Sequence, residues 1–70
     1  MNVIVNGNPL EMADGSTVSD AAAEVGIHPW ERGVAVALDG EVVPRTLLDR
    51  TVLSEGQRVE IVAAIQGGAL

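Results

Sequence analysis

Residues 1–26 read MNVIVNGNPLEMADGSTVSDAAAEVG, and within them the apolar period changes from two to nearly four. Asn2 to Asn6 alternates around Val3 and Val5, as a half-buried strand does. Asn6-Gly7-Asn8-Pro9 follows as a hairpin signal, because Asn-Gly accepts the positive φ angles of a tight turn. Leu10 to Ala13 is then the expected return strand, ended by Asp14-Gly15. From Thr17 the pattern becomes helical. Val18, Ala21, Ala22 and Val25 fall at i, i+3, i+4 and i+7, which makes one apolar stripe. Thr17 and Asp20 have capping-box spacing, with Asp in place of the usual Glu, and Gly26 is a C-terminal stop. The stripe is short and rich in Ala, so the helix can lie close to a sheet.

Beyond the helix the chain returns to strand signals. Ile27 to Gly33 reads as a loop, Val34 to Leu38 as a strand, and Asp39-Gly40 as a second hairpin turn. Val42-Val43-Pro44 is a short strand that Pro44 ends or confines to an edge, since proline has no N–H for a ladder. Thr46 to Asp49 fits one helical turn, and Glu55-Gly56 turns the chain again. Gln57 to Ile65 is the last strand, with Val59, Ile61, Ala63 and Ile65 on one face. Arg58 and Glu60 begin the other face, which becomes apolar at Val62 and Ala64. The order ββαββ, with small extras, predicts an α+β domain with a mixed sheet of four to five strands packed on one main helix.

Size and composition bound the function. Seventy residues make one domain, read as a folded body over residues 1–65 and a tail over residues 66–70. Trp30 is the single aromatic and there is no Cys, so aliphatic packing must hold the core without disulfides or thiolate metal sites. Trp30 is expected to close the core at the helix end. Ten acidic residues face four basic ones, all arginine, for a net charge of −6. That balance argues against a nucleic-acid backbone or an anionic membrane as partner. It suits docking to a basic patch on a protein. The N-terminus has no basic region and no long apolar run, so a cytoplasmic protein without a membrane span is expected.

Catalytic groups are sparse. His28 is the only histidine and is read as an ordinary loop residue before Pro29, so a His-based metal cluster is ruled out. Ser16 and Ser19 belong to the helix start, and Ser54 lies in no nucleophile-elbow pattern. The carboxylates are scattered, no phosphate-loop motif occurs, and no lysine is present to serve one. Arg45 is expected in a surface salt bridge. The chain is not expected to be an enzyme or to bind a cofactor of its own.

The end of the chain, IVAAIQGGAL (residues 61–70), carries the remaining signal. Gly67-Gly68 follows the last strand with no linker. Gln66 to Gly68 can extend about 10 Å, and glycine offers no bulk, so such a segment can thread a narrow channel. A carboxylate presented there is inert toward nucleophiles until it is adenylated.

At this point the sequence resembles the ThiS family of sulfur carriers over nearly its whole length. The matching stretches are MNVIVNG (residues 1–7), the helix Thr17 to Val25, GVAVALDGEVVPR (residues 33–45) and EGQRVEIVAAIQGG (residues 55–68). The VPR at Val43 to Arg45 separates it from the small subunits of molybdopterin synthase, which share the fold and the Gly-Gly. The resemblance implies a β-grasp, ubiquitin-like fold. It implies that an adenylyltransferase of the ThiF or MoeB type activates the terminal glycine with ATP, and that sulfur then gives a thiocarboxylate. A thiazole synthase of the ThiG type would consume that sulfur in making the thiamine thiazole. Carried over by position, the reactive residue is Gly68, with Gly67 as its slim neighbour. The partner surface is expected around Glu60, Val62, Ala64 and Gln66. Ala69-Leu70 departs from the family pattern and implies cleavage after Gly68, as a zinc metalloprotease of the JAMM type performs in some relatives. Those relatives serve cysteine or secondary-metabolite pathways, so other sulfur acceptors stay open, molybdopterin synthesis among them. A ubiquitin-like protein modifier and a plain binding module are the competing classes.

Overall fold

The computed structural model describes residues 1–63. Five strands and one α-helix follow the order β1 (Asn2–Val5), β2 (Asn8–Glu11), α1 (Val18–Glu24), β3 (Val34–Leu38), β4 (Glu41–Val42), a 3₁₀ turn (Arg45–Leu47) and β5 (Arg58–Ala63). The sheet order is β2-β1-β5-β3-β4. β1 and β5 run parallel in the middle, and every other neighbouring pair is antiparallel. A helix crossing a mixed sheet built on a central parallel pair is the β-grasp arrangement that the family resemblance implies.

Both hairpins close in two residues. Asn6 (φ 48°) and Gly7 (φ 83°) turn β1 into β2, and Asp39 (φ 49°) and Gly40 (φ 88°) turn β3 into β4. Two consecutive positive φ angles match the right-handed twist of the flanking strands. The first turn is tighter than expected, so β2 begins at Asn8 and includes Pro9. Met1 and Met12 exchange main-chain hydrogen bonds at 2.8 Å. Because bonded and non-bonded pairs alternate, Pro9, opposite Ile4, falls at a non-bonded position of an edge strand and forfeits nothing. The second short strand stops at Val42, before Pro44, and the helical turn starts at Arg45, one residue earlier than expected.

The helix is bounded as its sequence implies. The Asp20 amide donates to Thr17 Oγ1 (3.3 Å), and the Thr17 amide donates to Asp20 Oδ2 (2.9 Å). The remaining free amides of the first turn find partners from elsewhere in the chain. Val18 N–H donates to the Thr51 carbonyl (3.0 Å) and Ser19 N–H to that of Leu48 (2.9 Å). The C-terminus closes in a Schellman motif: Gly26 N–H donates to Ala23 O (3.0 Å), Ile27 N–H to Ala22 O (2.9 Å), and Gly26 has φ 80°. Val25 is outside the core because the helix has ended; it is the cap residue and is 42% exposed.

The core joins Val18, Ala21 and Ala22 of the helix to Val3 and Val5 of β1, Val36 of β3, and Val59 and Ile61 of β5. Met12, Leu48 and Leu53 complete it, the two leucines at 1% and 3% exposure. They supply the bulk that the Ala-rich stripe lacks. The expectation that Trp30 closes the core is therefore wrong. Trp30 is 45% exposed, and its neighbour Pro29 is the buried residue of that loop. The indole Nε1 instead donates to the Arg45 carbonyl (3.0 Å), and Arg45 Nη1 donates to the Glu31 carbonyl (3.3 Å). Arg45 thus clamps the 27–33 loop through backbone groups rather than forming the expected salt bridge. No arginine–carboxylate pair occurs among the described residues.

Candidate functional site

β5 lies at the centre of the sheet, with β1 on one side and β3 on the other. Its side chains alternate between two environments. Val59 and Ile61 point into the core, while Arg58, Glu60 and Val62 stand exposed on the face the helix leaves open. Antiparallel partners share a face, so the register names the rest of this surface. Val62 is opposite Ala35, Glu60 is opposite Ala37, and Ala37 is also opposite Val42. Val42 is 73% exposed and Val62 64%, so two apolar side chains flank Glu60 on an otherwise accessible face. Sequence reasoning placed Glu60 and Val62 on this face and did not single out Val42. The signal was present: a two-residue Asp39-Gly40 turn sets Val42 opposite Ala37, on the side away from Val36.

Two polar side chains hold β5 in this position. The β1–β5 ladder begins with Ile4 N–H to Gln57 O (2.9 Å) and Asn6 N–H to Val59 O (2.9 Å). The parallel pattern would next offer the Asn6 carbonyl to Ile61 N–H. The chain turns away there, and Asn6 Oδ1 accepts that bond at 2.8 Å instead. On the other side, Asp39 Oδ1 accepts from the Arg58 amide (2.9 Å), and Oδ2 accepts from Gln57 Nε2 (3.0 Å). The Arg58 amide, and then the Gln57 side chain, hold the Asp39 carboxyl below its ordinary value of 3.8. Both turn residues were legible as turn formers. Their second role, as acceptors for β5 amides, depends on strands remote in sequence.

Gly67, Gly68, Ala64 and Gln66, together with the tail boundary at residue 66, lie outside the described residues. Ala63 is the last described residue of β5 and pairs with Val34. His28 is an exposed loop residue, as expected. Among the described residues no group of three His, Cys, Asp or Glu side chains is placed to hold a metal ion. No described helix is long and apolar enough to cross a membrane.

The sequence model of the ThiS family matches residues 3–68. The chain belongs to the ThiS family. A crystal structure of a thiamine biosynthesis protein (ThiS) from Geobacter metallireducens is 31% identical, with a TM-score of 0.75 over 97% of this chain and 100% of that one. An NMR solution structure of a thiamine biosynthesis protein from the same organism is 33% identical, with a TM-score of 0.77 over 100% of this chain and 91% of that one. A protein named thiazole synthase from Paramagnetospirillum magneticum is 32% identical over 69 residues, which cover 99% of this chain. This chain spans only 21% of that protein's length. The ThiS match ends at Gly68, the second glycine of the pair that follows β5.

Proposed function

We propose that this ThiS-family domain is a sulfur carrier whose reactive group is the carboxylate of Gly68. The observation that carries the proposal is the family match ending on Gly68, the second residue of a Gly-Gly that follows the central strand. A carboxylate oxygen of Gly68 attacks the α-phosphorus of ATP on an adenylyltransferase of the ThiF or MoeB type, and pyrophosphate leaves. Sulfur at the sulfide level then attacks the acyl carbon and AMP leaves, giving a thiocarboxylate. The fold contributes no catalytic side chain to either step. It presents the tail, and the open face around Glu60, Val62 and Val42 docks the enzyme, with Ala64 and Gln66 continuing that contact toward the tail.

The sulfur acceptor is proposed to be a thiazole synthase of the ThiG type. The relatives named for thiamine biosynthesis and thiazole synthase support this choice. Where Ala69-Leu70 follow Gly68, a JAMM-type protease would free the carboxylate first.

The test is intact mass. A form ending at Gly68 is incubated with ATP, the adenylyltransferase and a sulfide source. The expected product gains the mass of a sulfur-for-oxygen exchange, and deletion of Gly68 abolishes it while leaving the melting temperature unchanged. No ATP-dependent change in the Gly68 form, or conjugates to target lysines in its place, overturns the proposal.

A further inference from the structure

We infer that Trp30 is a preordered anchor for the adenylyltransferase that takes the tail, entering an apolar pocket on that enzyme's surface. The inference rests on the proposed function, and it adds a contact on the 27–33 loop to the open-face docking described above. Three observations converge on it.

The first is that Trp30 is the chain's only aromatic, and the fold leaves it out of the core. It is 45% exposed, while the smaller Pro29 beside it is buried. A chain with a single large ring and a small aliphatic core has every packing reason to bury that ring.

The second is that the ring is held in place although nearly half of the residue is exposed. Its Nε1 donates to the Arg45 carbonyl at 3.0 Å, and the Arg45 guanidinium returns a bond to the Glu31 carbonyl at 3.3 Å. The loop is closed further by Glu31 N–H to His28 O (3.1 Å) and Val34 N–H to Glu31 O (3.2 Å). An aromatic ordered before binding loses little conformational freedom on association, which favours an anchor over an idle surface residue. Trp is also the residue type most enriched among the few that dominate interface energies.

The third is position. Val34 pairs with Ala63, the last described residue of β5. Paired Cα atoms are about 5 Å apart, and the turn from Glu31 to Val34 spans under about 7 Å, so Trp30 stands at most about 16 Å from Ala63. The Gly68 carbonyl lies five residues beyond Ala63 and reaches at most about 18 Å from it. An enzyme that closes its active site on Gly68 must therefore press its surface against this end of the domain. An ordinary interface of about 800 Å² per partner, centred on the tail exit, extends far enough to cover Trp30.

Fluorotryptophan substitution makes Trp30 the single fluorine-labelled site in the carrier. Titration of the form ending at Gly68 with the adenylyltransferase should shift or broaden its one fluorine resonance. Trp30→Ala should raise the dissociation constant at least about tenfold while the far-ultraviolet circular dichroism spectrum of the folded chain is kept. Trp30→Phe, which keeps an apolar ring but not the Nε1 bond, should stay within about threefold of the parent. A resonance unmoved at saturating enzyme, or Trp30→Ala binding like the parent, overturns the inference. Trp30→Phe as weak as Trp30→Ala also overturns it, because the clamp and not the ring would then matter. If the form ending at Gly68 is adenylated while its Trp30→Ala variant binds normally, this inference alone fails. If the form ending at Gly68 is never adenylated, the proposed function fails and the inference falls with it.

Discussion

Replacing Asn6 by Ala removes the side-chain acceptor that completes the β1–β5 ladder. Two contributions can be separated. Ile61 N–H loses its 2.8 Å partner beside a side chain that is only 7% exposed. A donor left unpaired in such a place costs roughly 1–3 kcal/mol, and the nearby exposed turn lets water in and favours the lower half, about 1–2 kcal/mol. The residue also keeps φ near 48°, where a Cβ-bearing side chain without a local hydrogen bond costs about 1 kcal/mol more. The Asn6 N–H bond to Val59 O is a backbone bond and survives. The expected destabilisation is about 2–3 kcal/mol, against a total stability of roughly 3.5–10 kcal/mol for a domain of this length. In melting temperature that is a fall on the order of 10–20 °C. Urea titration followed by far-ultraviolet circular dichroism measures it. Asn6→Gly should lose the acceptor but relieve the backbone cost, and so fall between Ala and the parent. Asn6→Asp, which keeps an acceptor oxygen and tolerates the turn, should stay within about 1 kcal/mol of the parent. The reasoning fails if Asn6→Ala unfolds within about 0.5 kcal/mol of the parent, or if Asp is as damaging as Ala.

Further outcomes follow from the same contacts. The folded state holds the Asp39 carboxyl below 3.8, so its contribution is complete above that value and is lost as pH falls through the lower folded value. Thermal melts between about pH 5 and pH 2 should therefore decline less steeply for Asp39→Asn than for the parent, and parallel declines would refute the assignment. Thr17→Ala removes the helix cap that bonds the Asp20 amide and should cost about 1 kcal/mol by urea titration, with no measurable loss counting against the capping box. Val62→Asp places a charge on the apolar patch of the open face and should weaken adenylyltransferase binding at least about tenfold while the melting temperature holds. Unchanged affinity in a titration with that enzyme would move the docking surface elsewhere.

The legibility of the candidate site divides along the same physical line. Glu60 and Val62 were readable because alternation along one strand assigns faces from sequence neighbours alone. Val42 was hidden because its place on the same surface is fixed across strands by the β3–β4 register. Trp30 was misread because its bulk, taken by itself, favours burial. The core's large side chains include Leu48 and Leu53 instead, from a segment with no strong period of its own.

By itself the chain determined its elements. The Asn-Gly and Asp-Gly turns, the Thr17–Asp20 box and the Gly26 stop are interactions between residues a few positions apart, and each appears where its local chemistry requires it. Only the tertiary structure decided how those elements meet. Strand order, the pairing of β1 with β5, and the roles of Asn6 and Asp39 as acceptors for β5 depend on residues far apart in the chain, 19 and 55 positions for the two acceptor bonds. No short window contains both partners of such a bond. Its formation depends on the helix, the sheet and the 48–53 crossing segment closing over one core together.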